Sequence, residues 1–385
     1  MVRMLARIAY LVQFLMLASI GLVFVFLADL QDEFGLSAFQ ASIVASTGFG
    51  VALVSQLVLS PFVDRGHVGP MAWLSVLISV AGSVMFGLSS SMLGFAMGRG
   101  LVGIGVGLFG IVARKALLGT DVAGGGAKVG ALLSAGVAGF IAGPAIGAAL
   151  GTISFEAPFV IVGLAIAVPG AIAAQLIGRA EVAVAEVDYS DLRVLAKRPR
   201  VQAAVLTQFV VFGFIGIFDA TVDRYLTDLG LGTAAIAICL LIIGSPMLIL
   251  PRHAGAYAER IGGARVVVPA LALALPVMVA YGFLNGAVMF VAVGLAHAVT
   301  ESFNLTGAQV LVLEAAGAER AAVGTSILEA VGMAVAGLTA LVGLPIYETY
   351  GEATLFCGWA AIAAAALGVA VLRLRAVREP ALTGV

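Results

Sequence analysis

The sequence predicts an all-α membrane protein of twelve transmembrane helices, arranged as two pseudo-symmetric six-helix bundles. Three observations carry that expectation: an apolar composition, a dozen apolar runs of bilayer length, and basic residues confined to one side. Of the 385 residues, 62% are hydrophobic and 11% are charged, whereas a soluble chain carries roughly 25% charged residues. Most of this chain therefore has nothing to present to water. The net charge of −1 points to no nucleic-acid partner.

A helix that crosses a bilayer needs about 20 predominantly apolar residues. Runs bounded by charges, glycine–proline breaks and polar clusters fall at 8–30, 39–60, 71–90, 92–113, 129–153 and 158–178, then at 201–225, 233–251, 266–285, 287–310, 321–345 and 353–373. Arg3 and Arg7 ahead of the first run resemble the flank of a signal peptide. The run is too long for that, and no small-residue cleavage pattern follows, so it reads as a retained span. Only Ser89, Ser90 and Ser91 separate the third run from the fourth.

An even number of spans places both termini on one side. With the termini in the cytoplasm, all of the 20 basic residues fall on that side except Arg224 and the intramembrane Arg99, as the excess of lysine and arginine in cytoplasmic loops requires. The other side collects Asp29, Asp32, Glu33, Glu156, Asp223, Asp228, Glu348 and Glu352. A missed span would invert every later loop and destroy this segregation. The expected location is the cell membrane, multi-pass, with both termini cytoplasmic.

The longest polar stretch, 179–200, contains Glu181, Glu186, Asp188, Asp191 and the basic run Lys197–Arg200. It divides the chain into a bundle over 1–178, a cytoplasmic linker over 179–200, and a second bundle over 201–385. The halves also repeat weakly, as two-halved transporters do. Phe34-Gly35-Leu36-Ser37 follows the first span of one half and Leu229-Gly230-Leu231-Gly232 that of the other. Between the second and third spans stand Ser60-Pro61-Phe62-Val63-Asp64-Arg65-Gly66-His67 and Gly255-Ala256-Tyr257-Ala258-Glu259-Arg260-Ile261-Gly262-Gly263-Ala264-Arg265, each with an acid followed directly by arginine.

These loops resemble the signature of the major facilitator superfamily: glycine, three residues, acid–arginine, one residue, glycine, then a base. Gly255, Glu259, Arg260, Gly262 and Arg265 match it. The first copy keeps Asp64 and Arg65, with Ser60 for the leading glycine and His67-Val68 where glycine and a base stand. The resemblance covers essentially the whole chain. It implies two six-helix bundles around a central cavity, alternating access, and gating by these acid–base pairs on the cytoplasmic side.

In the fifth span Gly139, Gly143, Gly147 and Gly151 recur every four residues, a narrow stripe along one face that admits a neighbouring helix closely. Gly130, Gly139, Gly143, Pro144 and Gly147 together resemble the antiporter signature of the drug:proton antiporter families, with Ala148 in place of its last glycine. That resemblance implies export in exchange for protons.

Ionisable groups inside spans are expensive and are functional candidates by default. The fourth span holds Arg99, which resembles the family's arginine motif in that span, with Val102 in place of its glutamine. The tenth holds His297 and Glu301, four residues apart and so on one helix face. Glu329 lies in the eleventh span with no base near it in sequence. As a lone buried carboxylate it is the first candidate for a proton carrier, because desolvation disfavours its charged form. It also suits a cationic substrate. Asp219 lies in the outer half of the seventh span and reads as a weaker candidate, within reach of the outer interface. Gln13, Gln56, Gln208 and Asn304 offer hydrogen bonds. Cys239 and Cys357 lie in apolar runs without metal-ligand spacing. No phosphate-binding loop, metal cluster or nucleophile constellation is present, so no enzyme activity, cofactor or metal is expected. The expected partners are a small-molecule substrate, protons and the lipid bilayer, with the chain working as a monomer. A proton-coupled exporter, a proton symporter importing a nutrient, and a membrane receptor or enzyme without transport remain three readings of these residues, the first favoured by the glycine stripe.

Overall fold

The computed structural model describes residues 2–120, 125–180, 190–317 and 320–376. Its helices are α1 (Val2–Gly21), α2 (Leu27–Asp32), α3 (Ala38–Asp64), α4 (Val68–Gly87), α5 (Met92–Thr120), α6 (Gly125–Gly151), α7 (Ala157–Ile177), α8 (Ser190–Ala196), α9 (Pro199–Asp228), α10 (Thr233–Gly244), α11 (Leu250–Ile261), α12 (Gly263–Ala280), α13 (Ala287–Ala316) and α14 (Ala321–Arg375). No strand occurs among the described residues. Hydrocarbon offers the backbone no hydrogen bonds, so a spanning segment satisfies its own by forming a helix.

Eleven of these stretches are long and apolar enough to cross a bilayer. The last, α14, runs for 55 residues, which at about 1.5 Å per residue would reach about 80 Å, far beyond a hydrocarbon core of about 30 Å. It breaks at Gly351, with φ 80° and ψ 169°, a backbone setting that glycine reaches without steric cost. Splitting α14 there raises eleven spans to twelve, between the runs 321–345 and 353–373. The serine run 89–91 is likewise a true break, since α4 ends at Gly87 and α5 begins at Met92.

Two runs are less regular than the sequence suggests. The first passes through a 3-10 turn over Leu22–Val25 before α2, and the eighth through another over Ser245–Leu248 before α11. Pro246 in the second turn lacks the backbone donor that a continuous α-helix would use. The acid–arginine motifs also sit differently from the expected loops. Asp64 is the last residue of α3, while Gly255, Glu259 and Arg260 lie within α11. What is left of each loop is a turn on a left-handed glycine, Gly66 at φ 92° and Gly262 at φ 96°. Of the 179–200 linker, Glu181, Glu186 and Asp188 lie outside the described residues.

The helices α1 to α7 form one bundle and α9 to α14 the other. In the first, α4 packs on α5 and α7, and α1 on α6; in the second, α9 packs on α14 and α12 on α13. Across the seam, α3 meets α14 and α6 meets α10. Here the face at which α1 begins and α14 ends is called the basic face, and the opposite one the acidic face. Toward the acidic face one apolar core is shared by both bundles, uniting Leu22, Phe24, Phe86 and Phe159 with Phe214, Ile236, Leu344 and Phe356. Toward the basic face it divides. Leu5, Val63, Phe109 and Leu132 belong to one cluster, and Val201, Leu311, Leu328 and Ala370 to another. The apolar core is thus continuous between the bundles toward the acidic face and divided between them toward the basic face.

Candidate functional site

The seam holds a buried ion pair that the sequence does not announce. Arg99 on α5 places Nη2 at 3.4 Å from Asp219 Oδ1 and 3.5 Å from Oδ2, on α9 of the other bundle. Asp219 is fully buried and Arg99 is 2% exposed. Asp219 therefore does not reach the outer interface, contrary to its sequence reading, and ranks above its expected place. Arg99 Nη1 donates to the carbonyl of Ile20 at 2.7 Å, while Nε has no partner. Gly48 makes room for the guanidinium, since a Cβ there would lie 3.0 Å from Nε.

His297 and Glu301 also meet inside the protein. Their Nε2 and Oε2 atoms are 4.0 Å apart on α13, both nearly buried. The Tyr281 hydroxyl lies 3.3 Å from His297 Nδ1, and the Phe214 ring stands edge-on to the imidazole at 4.3 Å between centroids. Neither bundle's opening separates these groups, because all belong to the carboxyl-terminal half.

Glu329 departs from its sequence reading. It is neither buried nor alone: its side chain is 42% exposed and faces Arg114 Nη1 of α5 at 3.7 Å. The base is absent from its own helix because it arrives from the other bundle. An ion pair this exposed is worth little, and Glu329 loses the premise that ranked it first.

At the basic face Asp64 pairs within its own bundle, with Lys115 Nζ at 3.0 Å, and Lys115 also donates to the Val63 carbonyl at 2.9 Å. In the second copy Glu259 and Arg260 are exposed. The turn there is held instead by Glu314, whose Oε1 accepts from the Gly263 N–H at 3.0 Å, and Arg265 Nη1 reaches the Ile261 carbonyl at 3.4 Å. Gly255 faces open space. Sequence reading missed both Lys115 and Glu314, which stand about 50 residues from the motifs they serve.

The glycine stripe of α6 lies against α1 of the same bundle. A Cβ on Gly139 would overlap the Phe14 carbonyl, and one on Gly143 would sit 2.6 Å from the Ala18 carbonyl oxygen and 2.7 Å from Gly21 Cα. Gly147 and Gly151 face Phe26. Gly130 meets nothing within 4 Å, so the first position of the motif is outside the packed stripe. Pro144 lies within α6, which remains helical through it.

Further ties close the acidic face. Arg224 Nη1 is 2.8 Å from Asp32 of the other bundle, and Nη2 is 2.9 Å from Asp228. The Ala28 N–H donates to Asp223 at 2.7 Å, and Gln31 Nε2 to Glu348 at 2.5 Å. Tyr347 donates to Asp228 at 2.7 Å. Beside this network burial, aided by Glu33 and Asp32, pushes the Asp29 carboxyl up to about 6. Asp29 thus binds its proton more tightly in the closed arrangement than in water. Acidification through about pH 6 should favour closure, and the contribution should fade as pH rises above that value. Cysteine labelling at the acidic face should slow as pH falls from 7 to 5 (about one unit either side of that value), and Asp29→Asn should flatten the dependence. An unaltered slope in the variant would discard this assignment.

The whole chain can now be compared with known proteins. No curated protein sequence matches it. Among solved structures it superposes on a bacterial homologue of the human lysosomal transporter Spinster, in an inward-facing unoccupied form, with TM-score 0.75 and 15% identity over 97% of this chain and 94% of that one. For the same kind of homologue in an inward-facing occupied form the TM-score is 0.76, at 14% identity over 98% of both chains. At such identity the likeness speaks for the fold. The sequence profile of the Major Facilitator Superfamily matches residues 9–338. Twelve spans, two bundles with charges buried at their seam and this profile over most of the chain make the protein a member of the major facilitator superfamily, a transporter of small molecules and not an enzyme.

Proposed function

We propose that the chain is a proton-coupled antiporter that exports small lipophilic or cationic compounds by alternating access. It works as a monomer in the cell membrane, with its basic face, both termini and the 179–200 linker in the cytoplasm. The arrangement described above is then the inward-open one.

The Arg99–Asp219 pair carries this reading. Its two charges belong to different bundles, so opening the acidic face must pull them apart. A carboxylate stripped of its countercharge in a poorly hydrated seam is costly. A proton, or the positive charge of a substrate, removes that cost, and either one thereby becomes coupled to the conformational change. Exchange between the two at one carboxylate is antiport. The glycine stripe, through its likeness to the drug:proton antiporter signature, adds the direction.

The test is purified protein in proteoliposomes, with a proton gradient of either sign and a panel that includes tetraphenylphosphonium and ethidium as cationic probes. Wild type should accumulate probe against a proton flux of opposite direction, and Asp219→Asn should lose the gradient dependence. Co-directional movement of proton and solute would establish symport and overturn the proposal.

A further inference from the structure

We propose that Tyr281 holds His297 as a neutral imidazole with its hydrogen on Nε2, so that of this pair Glu301 is the group that gains and loses a proton. The inference deepens the proton-coupled reading given above and assigns a positioning role to Tyr281.

The argument starts from the tyrosine. Tyr281 is 1% exposed and is ringed by Phe214, Phe218, Phe290 and Phe356 at centroid distances of 5.3, 5.9, 6.1 and 5.5 Å. A buried phenol needs an acceptor for its O–H. Among the described residues the hydrogen-bond partner of that hydroxyl is His297 Nδ1, at 3.3 Å. The backbone that presents Tyr281 is itself fixed, because the Tyr225 hydroxyl donates to the Tyr281 carbonyl at 2.8 Å. The phenol can therefore give its hydrogen only to a bare Nδ1. A neutral imidazole with a bare Nδ1 carries its hydrogen on Nε2, the atom that faces Glu301.

Protonating the ring would convert Nδ1 into a second donor. The phenol oxygen could accept from it, but the phenol hydrogen would then point into the aromatic shell with no acceptor. Glu301 meets no such obstacle. At 4.0 Å from Nε2 it makes no hydrogen bond that an arriving proton must break. Of the packed elements, α9 sets Phe214 against the imidazole and α14 sets Phe356 against Tyr281. The imidazole thus offers a fixed N–H that greets the ionised carboxylate, while the proton itself resides on Glu301.

The chain contains three histidines, namely His67, His253 and His297, so nitrogen-15 histidine spectra of the full-length protein in nanodiscs are tractable. In a His67→Gln, His253→Gln background, His297 should show the neutral Nε2–H pattern throughout the range from about pH 5 to pH 8, where a free imidazole titrates. Over the same range the infrared band of a protonated carboxyl, identified by its loss in Glu301→Gln, should grow as pH falls. In Tyr281→Phe the ring should begin to titrate or populate the other tautomer, and the carboxyl midpoint should shift. An imidazolium signal or an Nδ1–H tautomer in the wild type would overturn the proposal, as would an unchanged ring and carboxyl in Tyr281→Phe. The wild-type spectra decide the matter even if Tyr281→Phe folds poorly. None of these readouts involves a transported compound, so a failure of the antiport reading leaves them standing, and their failure leaves that reading standing.

Discussion

Arg99→Leu is expected to destabilise the state closed at the acidic face by about 3–5 kcal/mol, the usual cost of removing one partner from a buried ion pair. The variant leaves Asp219 ionised and alone where it is wholly shielded from water. Relief comes from protonation or from parting the bundles so that water enters. The effect should appear as a lower unfolding temperature together with faster cysteine labelling at the acidic face. Adding Asp219→Leu should recover most of the loss, because replacing both members of a buried pair by apolar groups is often neutral. A double variant as unstable as the single one would mean that the loss does not come from stranding Asp219 without its partner.

Gly143→Leu is the second large effect. Two backbones approach here without side chains between them, and even a Cβ would meet Gly21 Cα at 2.7 Å. Overpacking typically costs about 1–3 kcal/mol, occasionally more, and the obstacle here is backbone rather than a flexible side chain. The expected result is a protein that still inserts but no longer transports, with a displaced α1–α6 contact. Gly130→Leu is the matched control: it alters the same motif at a position facing open space and should be tolerated. If both variants fail alike, the motif acts through something other than close packing.

The fold was legible because a bilayer imposes it. Run length, the loops' charge bias and the even span count each follow from solvation, and each reads directly from the sequence. The seam was less legible, for a reason that its residues make plain. Arg99 and Asp219 are 120 positions apart, and nothing local to Asp219 distinguishes a membrane-edge acid from one buried against the other bundle. Glu329 failed in the opposite sense. Its helix offers no base, so it looked solitary, yet Arg114 reaches it across the seam. His297 and Glu301 were found because their pairing is periodic and local. Tyr281 was not, because it lies 16 residues away on a 3-10 turn beyond α12. Helical periodicity reports partners along one helix and is silent about partners between helices.

The division of the apolar core has a thermal consequence. Where the bundles meet at the acidic face they bury apolar side chains from both halves beside the Arg224–Asp32 pair, whereas toward the basic face the exposed Arg114–Glu329 pair reaches across between them. Apolar contacts lose strength on cooling, because their burial carries a large heat-capacity change. The two ends of the molecule therefore respond unequally to temperature. Cold loosens the greasy end first, so a chilled membrane biases the resting carrier toward the conformation that warmth disfavours.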